Sequence, residues 1–272
     1  MNNSNPPKQL LSPIIKREKY GPCNICKSIE KLTWDHVPPQ GSTKTRPMQQ
    51  TTVLQNIASI NLENHYYTIS QNGIKFRTIC SKCNNELLGL KYDPILNKFS
   101  RELSLYITSS LLLPDIIHIK TTPNLLIRAI FGHLLSAKGI FENTVPDEKM
   151  RAFFINKTLL IPEGLKVFYW VHPYNNVIII RDVVMPAIRR NFSIKPGVFS
   201  ILKFFPIGFI VSDVDKYENL DELTSYYKQE EINLPIRLTK IRHSQWPEIV
   251  DKGNLISGGQ SIQSSILATQ KV

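Results

Sequence analysis

Cys80-Ser81-Lys82-Cys83-Asn84 answers Cys23-Asn24-Ile25-Cys26, and these two Cys-x-x-Cys pairs account for every cysteine in a chain of 272 residues. A two-residue gap lets both sulfurs of a pair face one ion from a tight turn. Four thiolates then complete a closed tetrahedral zinc site, which has no open position and is therefore structural. Disulfides are disfavoured in a reducing compartment, and a redox pair of the thioredoxin kind would not need a second pair. Cys23, Cys26, Cys80 and Cys83 are expected to hold one Zn²⁺.

Between the pairs lies Trp34-Asp35-His36-Val37-Pro38-Pro39. A histidine titrates near neutral pH and can take a proton from water. A carboxylate from Asp35 and an amide oxygen from Asn84 are the donors a hard divalent cation prefers. Taken singly, each residue has a plainer reading: His36 as a structural histidine beside two prolines, Asn84 as a helix cap.

The ordered set Cys-x-x-Cys, Asp-His-x-x-Pro, Cys-x-x-Cys-Asn resembles the zinc-bearing members of the HNH, or ββα-metal, endonuclease superfamily. It is matched here at Cys23, Cys26, Asp35, His36, Pro38, Cys80, Cys83 and Asn84, over residues 20–93. The resemblance implies a small zinc-bound ββα-metal module that hydrolyses nucleic-acid phosphodiesters, with DNA the expected target. In it His36 is the general base, and Asp35 and Asn84 hold one catalytic Mg²⁺ or Mn²⁺. Stand-alone proteins of this type look like bacterial or mobile-element products associated with defence against foreign DNA. The chain departs from the pattern in three places. The loop of residues 40–79 is long and keeps one glycine, Gly41, of the usual pair. The middle asparagine, which orients the histidine in the family, is replaced by Lys75, Phe76, Arg77 and Thr78, with Asn72 the nearest candidate. The basic residues after the last cysteine are replaced by Asn85, Glu86, Leu87 and Leu88. Two competing readings are a non-catalytic zinc ribbon that binds nucleic acid and a regulatory module on a degenerate HNH scaffold.

Composition favours a polyanionic partner. The chain carries 33 Lys and Arg against 22 Asp and Glu, a net charge of +11. Residues 1–100 hold 13 basic and 6 acidic side chains, a net of +7, whereas the other 172 hold 20 and 16, a net of +4. The basic density thus lies in the cysteine-bearing segment, where nucleic acid is the commonest ligand of such a surface. Residues 1–8 are polar and no apolar leader follows, and no run approaches the length of a membrane span. A cytoplasmic protein without membrane contact is expected. A second copy of the chain or a regulatory protein is open as a partner.

Periodicity fills in the rest. Residues 1–20, with Lys16, Arg17 and Lys19, read as a flexible basic arm, and residues 21–113 as the zinc-bound module with a trailing helix. A short helix is expected over 84–91, interrupted or restarted at Pro94, with apolar recurrence from 94 to 113. Thr122 and Pro123 mark the cap and first position of a second helix, and 146–155 of a third. Asp93 reads as an extra acidic group near the site or as a cap before Pro94, and His133 as a core histidine on an apolar face. Strands are expected at 166–172, 177–184, 198–204, 207–211 and 236–241. Residues 114–252 form an α/β region without a recognisable motif, and 253–272 read as a loosely ordered tail. The expected class is α+β: a small module, then helices, then a mainly antiparallel β-rich region.

Overall fold

The turn carrying Cys23 and Cys26 is the tip of a hairpin, because Tyr20–Pro22 (β1) and Ile29–His36 (β2) pair antiparallel on either side of it. Its tightness is visible in the backbone: Cys23 N–H donates to the Ser28 carbonyl, Lys27 N–H donates to the Cys23 carbonyl, and Lys27 takes a positive φ of 67°. These features come from a computed structural model that describes residues 13–53, 67–187, 195–217, 220–238, 257–258 and 265–270.

The chain leaves β2 for another sheet, where it forms Met48–Thr52 (β3) and Thr68–Ser70 (β4), then returns as Lys75–Cys80 (β5) alongside β2. Helix α1 (Lys82–Tyr92) follows directly and is wound with π spacing throughout, a rare state over so long a run. Its buried residues, Cys83, Leu88 and Tyr92, fall at intervals of five and four that suit this wide winding. It continues into α2 (Asp93–Ile107), where Pro94 occupies the first turn, so the proline restarts a helix in α form. That helix stops at Ile107, short of residue 113, and Leu111 and Leu112 are exposed.

After β6 (Ile116–Thr121) comes α3 (Pro123–Ser136), with Thr122 and Pro123 as its cap and first residue, as expected. Twelve of its fourteen residues are buried, so it is the central rod of the molecule rather than a surface helix. It packs against α1, α2 and β5 on one side, and against α4 (Val145–Ile155) and the large sheet on the other. Its C-terminal carbonyls, which no helical N–H can satisfy, are met by the cysteine hairpin and by β5. Asn24 Nδ2 donates to the Leu135 and Lys138 carbonyls at 2.9 and 2.7 Å, and Thr78 Oγ1 donates to the Ser136 carbonyl at 2.6 Å. Asn24, a spacer residue of the first cysteine pair, thus fastens the hairpin to the central helix.

The remaining strands are β7 (Lys166–Val171), β8 (Asn176–Ala187), β9 (Lys195–Phe204), β10 (Ile207–Ser212), β11 (Asp221–Glu222), β12 (Ile232–Arg237), β13 (Ser257–Gly258) and β14 (Ile266–Gln270). The large sheet is antiparallel in the order β11-β7-β10-β9-β8-β14-β3-β4, with β13 paired to β8. Its Val- and Ile-rich runs are buried on both faces. Ile179, Leu202 and Phe209 face the main core, while Ile178, Ile201 and Ile210 join Phe168 and Trp170 in a second cluster. Gly208 is required because a Cβ there would collide with the Trp170 indole. Among the described residues β12 pairs with β6 alone, an edge position compatible with Pro235; it begins earlier than the expected strand, and residues 239–241 lie outside the described residues.

Three features bear on the expected divisions of the chain. The basic arm is docked from residue 13: Arg17 donates to the Pro22 and Thr78 carbonyls at 2.7 and 2.6 Å, and Arg77 N–H donates to the Ile15 carbonyl. The expected loose tail contains β14, inserted between β8 and β3, because Ile266 and Ala268 are fully buried there. Among the described residues one hydrophobic core cluster includes side chains on both sides of residue 113, from Cys23 to Ala268. A buried ionic joint strengthens this continuity. Lys138 Nζ reaches Asp147 at 2.5 Å and Asp182 at 2.7 Å, and Arg181 reaches Asp147 at 2.6 Å. It sits at the bulge between Ile180 and Val183, where Asp182 takes a φ of 49°. The chain is α+β.

Candidate metal centre and polar cleft

Hairpin and helix bring the four cysteines together. Their sulfurs all lie within 4.8 Å of one another, with Cys26 Sγ and Cys80 Sγ 3.7 Å apart. Cys23 Sγ accepts from the Ile25 and Cys80 main-chain N–H groups at 3.4 and 3.3 Å. The hydrogen bond with Cys83, helped by these N–H groups, pulls the Cys23 thiol down to about 5. Burial and the neighbouring sulfurs push Cys80 up to about 12, and the shared bond with Cys23, with burial, raises Cys83. Four thiols so crowded cannot all ionise unless a cation lies among them, and a group of this kind can hold a metal such as zinc. Among the described residues it is the one cluster of His, Cys, Asp or Glu ligand atoms gathered so tightly.

The same connection positions the other candidates. β2 and β5 slip register by one residue between Thr33 and Trp34. At that irregularity Asn84, in the first turn of α1, donates Nδ2 to Thr33 Oγ1 and to the Trp34 carbonyl at 3.0 and 2.9 Å. Asn84 is thus tied to β2 rather than capping its helix, and its amide oxygen is the end left for other partners. Asp35, His36 and Asn84 line one open cleft of about 270 Å³, together with Trp34, Asp93 and Asn97. Gly41 borders it, and a Cβ there would collide with the Asn97 side chain.

His36 ends β2, and its Nε2 lies 3.1 Å from the Gln40 amide nitrogen. Burial, then the Lys75 ammonium, lower its pKa below the ordinary histidine value, against the opposing pull of Asp35 and of a hydrogen bond with the Asn72 main chain. The ring is therefore held neutral, the state a proton acceptor needs. Asn72, in the turn before β5, thus contacts the histidine through its backbone, whereas Lys75 and Arg77 belong to β5 itself.

Asp35 lines the cleft from a buried position and is 5% exposed. Its Oδ2 lies 3.4 Å from His133 Nδ1, near enough for charge attraction but without hydrogen-bond geometry. His133 Nε2 lies 2.8 Å from Asp93 Oδ1. Burial of the fully enclosed His133 opposes its charge, but the Asp93 and Asp35 carboxylates outweigh it and hold its pKa up to about 10. An imidazolium from α3 therefore clasps two carboxylates of the cleft, one at the end of β2 and one at the start of α2. Periodicity gave His133 only a place in the core. The available signal was chemical: a histidine on a helix apolar on every side must find polar partners.

Of the other histidines, His118 lies on β6 and His172 near Asn176, and neither lines the cleft. His65 and His243 lie outside the described residues. Among the described residues no helix is long and apolar enough to cross a membrane. Compared with protein-family models, curated proteins and solved structures, the chain matches none.

Proposed function

We propose that the chain is a metal-dependent endonuclease of the HNH type, acting on nucleic-acid phosphodiesters with DNA as the first target to test. The observation that carries this reading is the convergence of Asp35, His36 and Asn84, from two ends of a long insertion, on one open polar cleft beside the four-cysteine cluster. The cluster suits a structural zinc: the metal would pin the hairpin to the start of α1 and so fix Asn84 against β2.

His36 acts as general base, a role favoured by its lowered pKa and its place on the cleft wall. Asn72 orients the ring through its main chain, and burial, helped by Lys75, disfavours its charged form. Asp35, Asn84 and Asp93 form an oxygen donor set of the kind Mg²⁺ or Mn²⁺ accepts; Asp35 and Asn84 would hold that ion, which neutralises phosphate charge and the leaving oxygen when bound. His133 keeps Asp35 and Asp93 in place from behind. The +7 balance of residues 1–100 attracts the polyanion.

The test is incubation of the purified chain with supercoiled plasmid and Mg²⁺ or Mn²⁺, alongside His36→Ala. The parent should nick or linearise the plasmid, and the variant should be slower by about 10²- to 10⁴-fold with its zinc content unchanged. A variant as active as the parent removes His36 from the mechanism. Absence of cleavage by either protein would favour the binding-module reading.

A further inference from the structure

The cleft wall contains one large apolar surface, Trp34, which is 43% exposed in a lining otherwise dominated by carboxylates, amides and His36. The ring is backed by cations: Arg77 Cζ lies 5.4 Å and Lys75 Nζ 5.8 Å from its centroid. Pairing across the sheet sets this arrangement, since Trp34 stands opposite Arg77, and His36 opposite Lys75. Arg77 is fixed there by bonds from Nε and Nη2 to the Arg17 carbonyl at 3.1 and 2.6 Å. The platform is therefore preorganised, and its exposure is not the incidental exposure of a loose surface residue.

An indole at the mouth of a polar cleft, supported by two cations, suits a flat aromatic ring attached to a phosphate chain. In a duplex both faces of each base are covered by neighbours, so only an unpaired base can lie on the indole. We infer that Trp34 is a stacking platform for an unpaired base next to the phosphate presented to His36, and that the substrate class is single-stranded or locally unpaired nucleic acid. The inference rests on the nuclease reading for its placement beside the base, but the stacking surface can be tested without cleavage.

The experiment measures binding of a labelled oligothymidylate of about 16 nucleotides, and of a duplex of equal length, with Ca²⁺ as the added divalent ion. Trp34→Ala should weaken strand binding by roughly 5- to 150-fold, the range of one lost base–aromatic stack, and leave duplex binding nearly unchanged. Trp34→Phe should retain most of the affinity. Because Trp34→Phe keeps an aromatic core at this position, it also serves if the alanine variant folds poorly: strand binding should quench the parent's indole fluorescence more than that of Trp34→Phe. Equal strand affinity of Trp34→Ala and parent, equal quenching of parent and Trp34→Phe, or tighter binding of duplex than strand by the parent would overturn the platform. A parent that binds strands through Trp34 yet cuts no nucleic acid would retain the platform and remove the nuclease. Cleavage lost in His36→Ala, with strand binding indifferent to Trp34, would do the reverse.

Discussion

Replacing His133 by leucine removes the cation that separates Asp35 from Asp93 while roughly preserving side-chain volume. His133 is fully buried, and its two carboxylate partners are 6% and 14% exposed at the side chain. Deleting one member of a buried ion pair costs about 3–5 kcal/mol, because the other is left uncompensated. Both carboxylates border an open cleft and can recover some hydration, which places the expected loss near the lower end, about 3 kcal/mol. That is a large part of the stability of an ordinary domain, about 5–15 kcal/mol. The assay is urea unfolding followed by circular dichroism near neutral pH, with zinc content measured in parallel. The midpoint should fall at unchanged slope. Adding Asp93→Asn should restore part of the loss, with a coupling above about 1 kcal/mol, as expected for groups in direct contact. A His133→Leu protein within about 0.5 kcal/mol of the parent, or strictly additive with Asp93→Asn, would refute the clasp.

Cys80→Ser should abolish stoichiometric zinc binding and lower the thermal midpoint, because a structural metal contributes its binding free energy to folding; a parent purified without zinc and a variant with an unchanged midpoint would defeat this. His172 supplies a pH dependence. Burial, then Lys203, lower its pKa to about 4, against an ordinary value of about 6.5. The folded state thus favours the neutral ring: its contribution is full above about pH 6.5 and is lost as pH falls towards about 4, by up to roughly 3 kcal/mol. Urea unfolding at about pH 7 and about pH 5 should show this slope in the parent and a shallower one in His172→Asn; equal slopes would remove His172 as its source. Ala268→Glu places an unpaired charge at a fully buried position of β14 and should cost about 3 kcal/mol or more. A thermal midpoint equal to the parent's would mean that β14 does not hold the sheet together.

Much of the architecture follows local rules. Thr122-Pro123 marks the start of α3, and the Val- and Ile-rich runs mark β7 to β10, because caps and continuous apolar strands leave their pattern in a few neighbouring residues. The cysteine spacing likewise anticipates the cluster. What was not legible depends on partners distant in the chain. β14 lies in a polar-looking tail and becomes a strand only because β8 and β3 offer it two unsatisfied edges. Asn24 and His133 look like filler and core in sequence, yet one caps α3 and the other holds the cleft carboxylates, since a single contact has no periodicity. The π winding of α1 is equally silent, although it matches the spacing of the buried Cys83, Leu88 and Tyr92.

The insertion of β14 also sets an order of assembly. Residues near the start of the chain wait for residues near residue 270: Arg46 bonds to Gln270 across 224 positions, and the two border the small groove behind His36. A ribosome releases the chain from its N-terminus, so the cysteine hairpin, β2 and α1 emerge long before the strand that closes β3 onto the large sheet. Until then β3 has an open edge and the groove lacks one wall. A nascent chain would carry the candidate catalytic residues without their finished surroundings until residues 266–270 had also emerged.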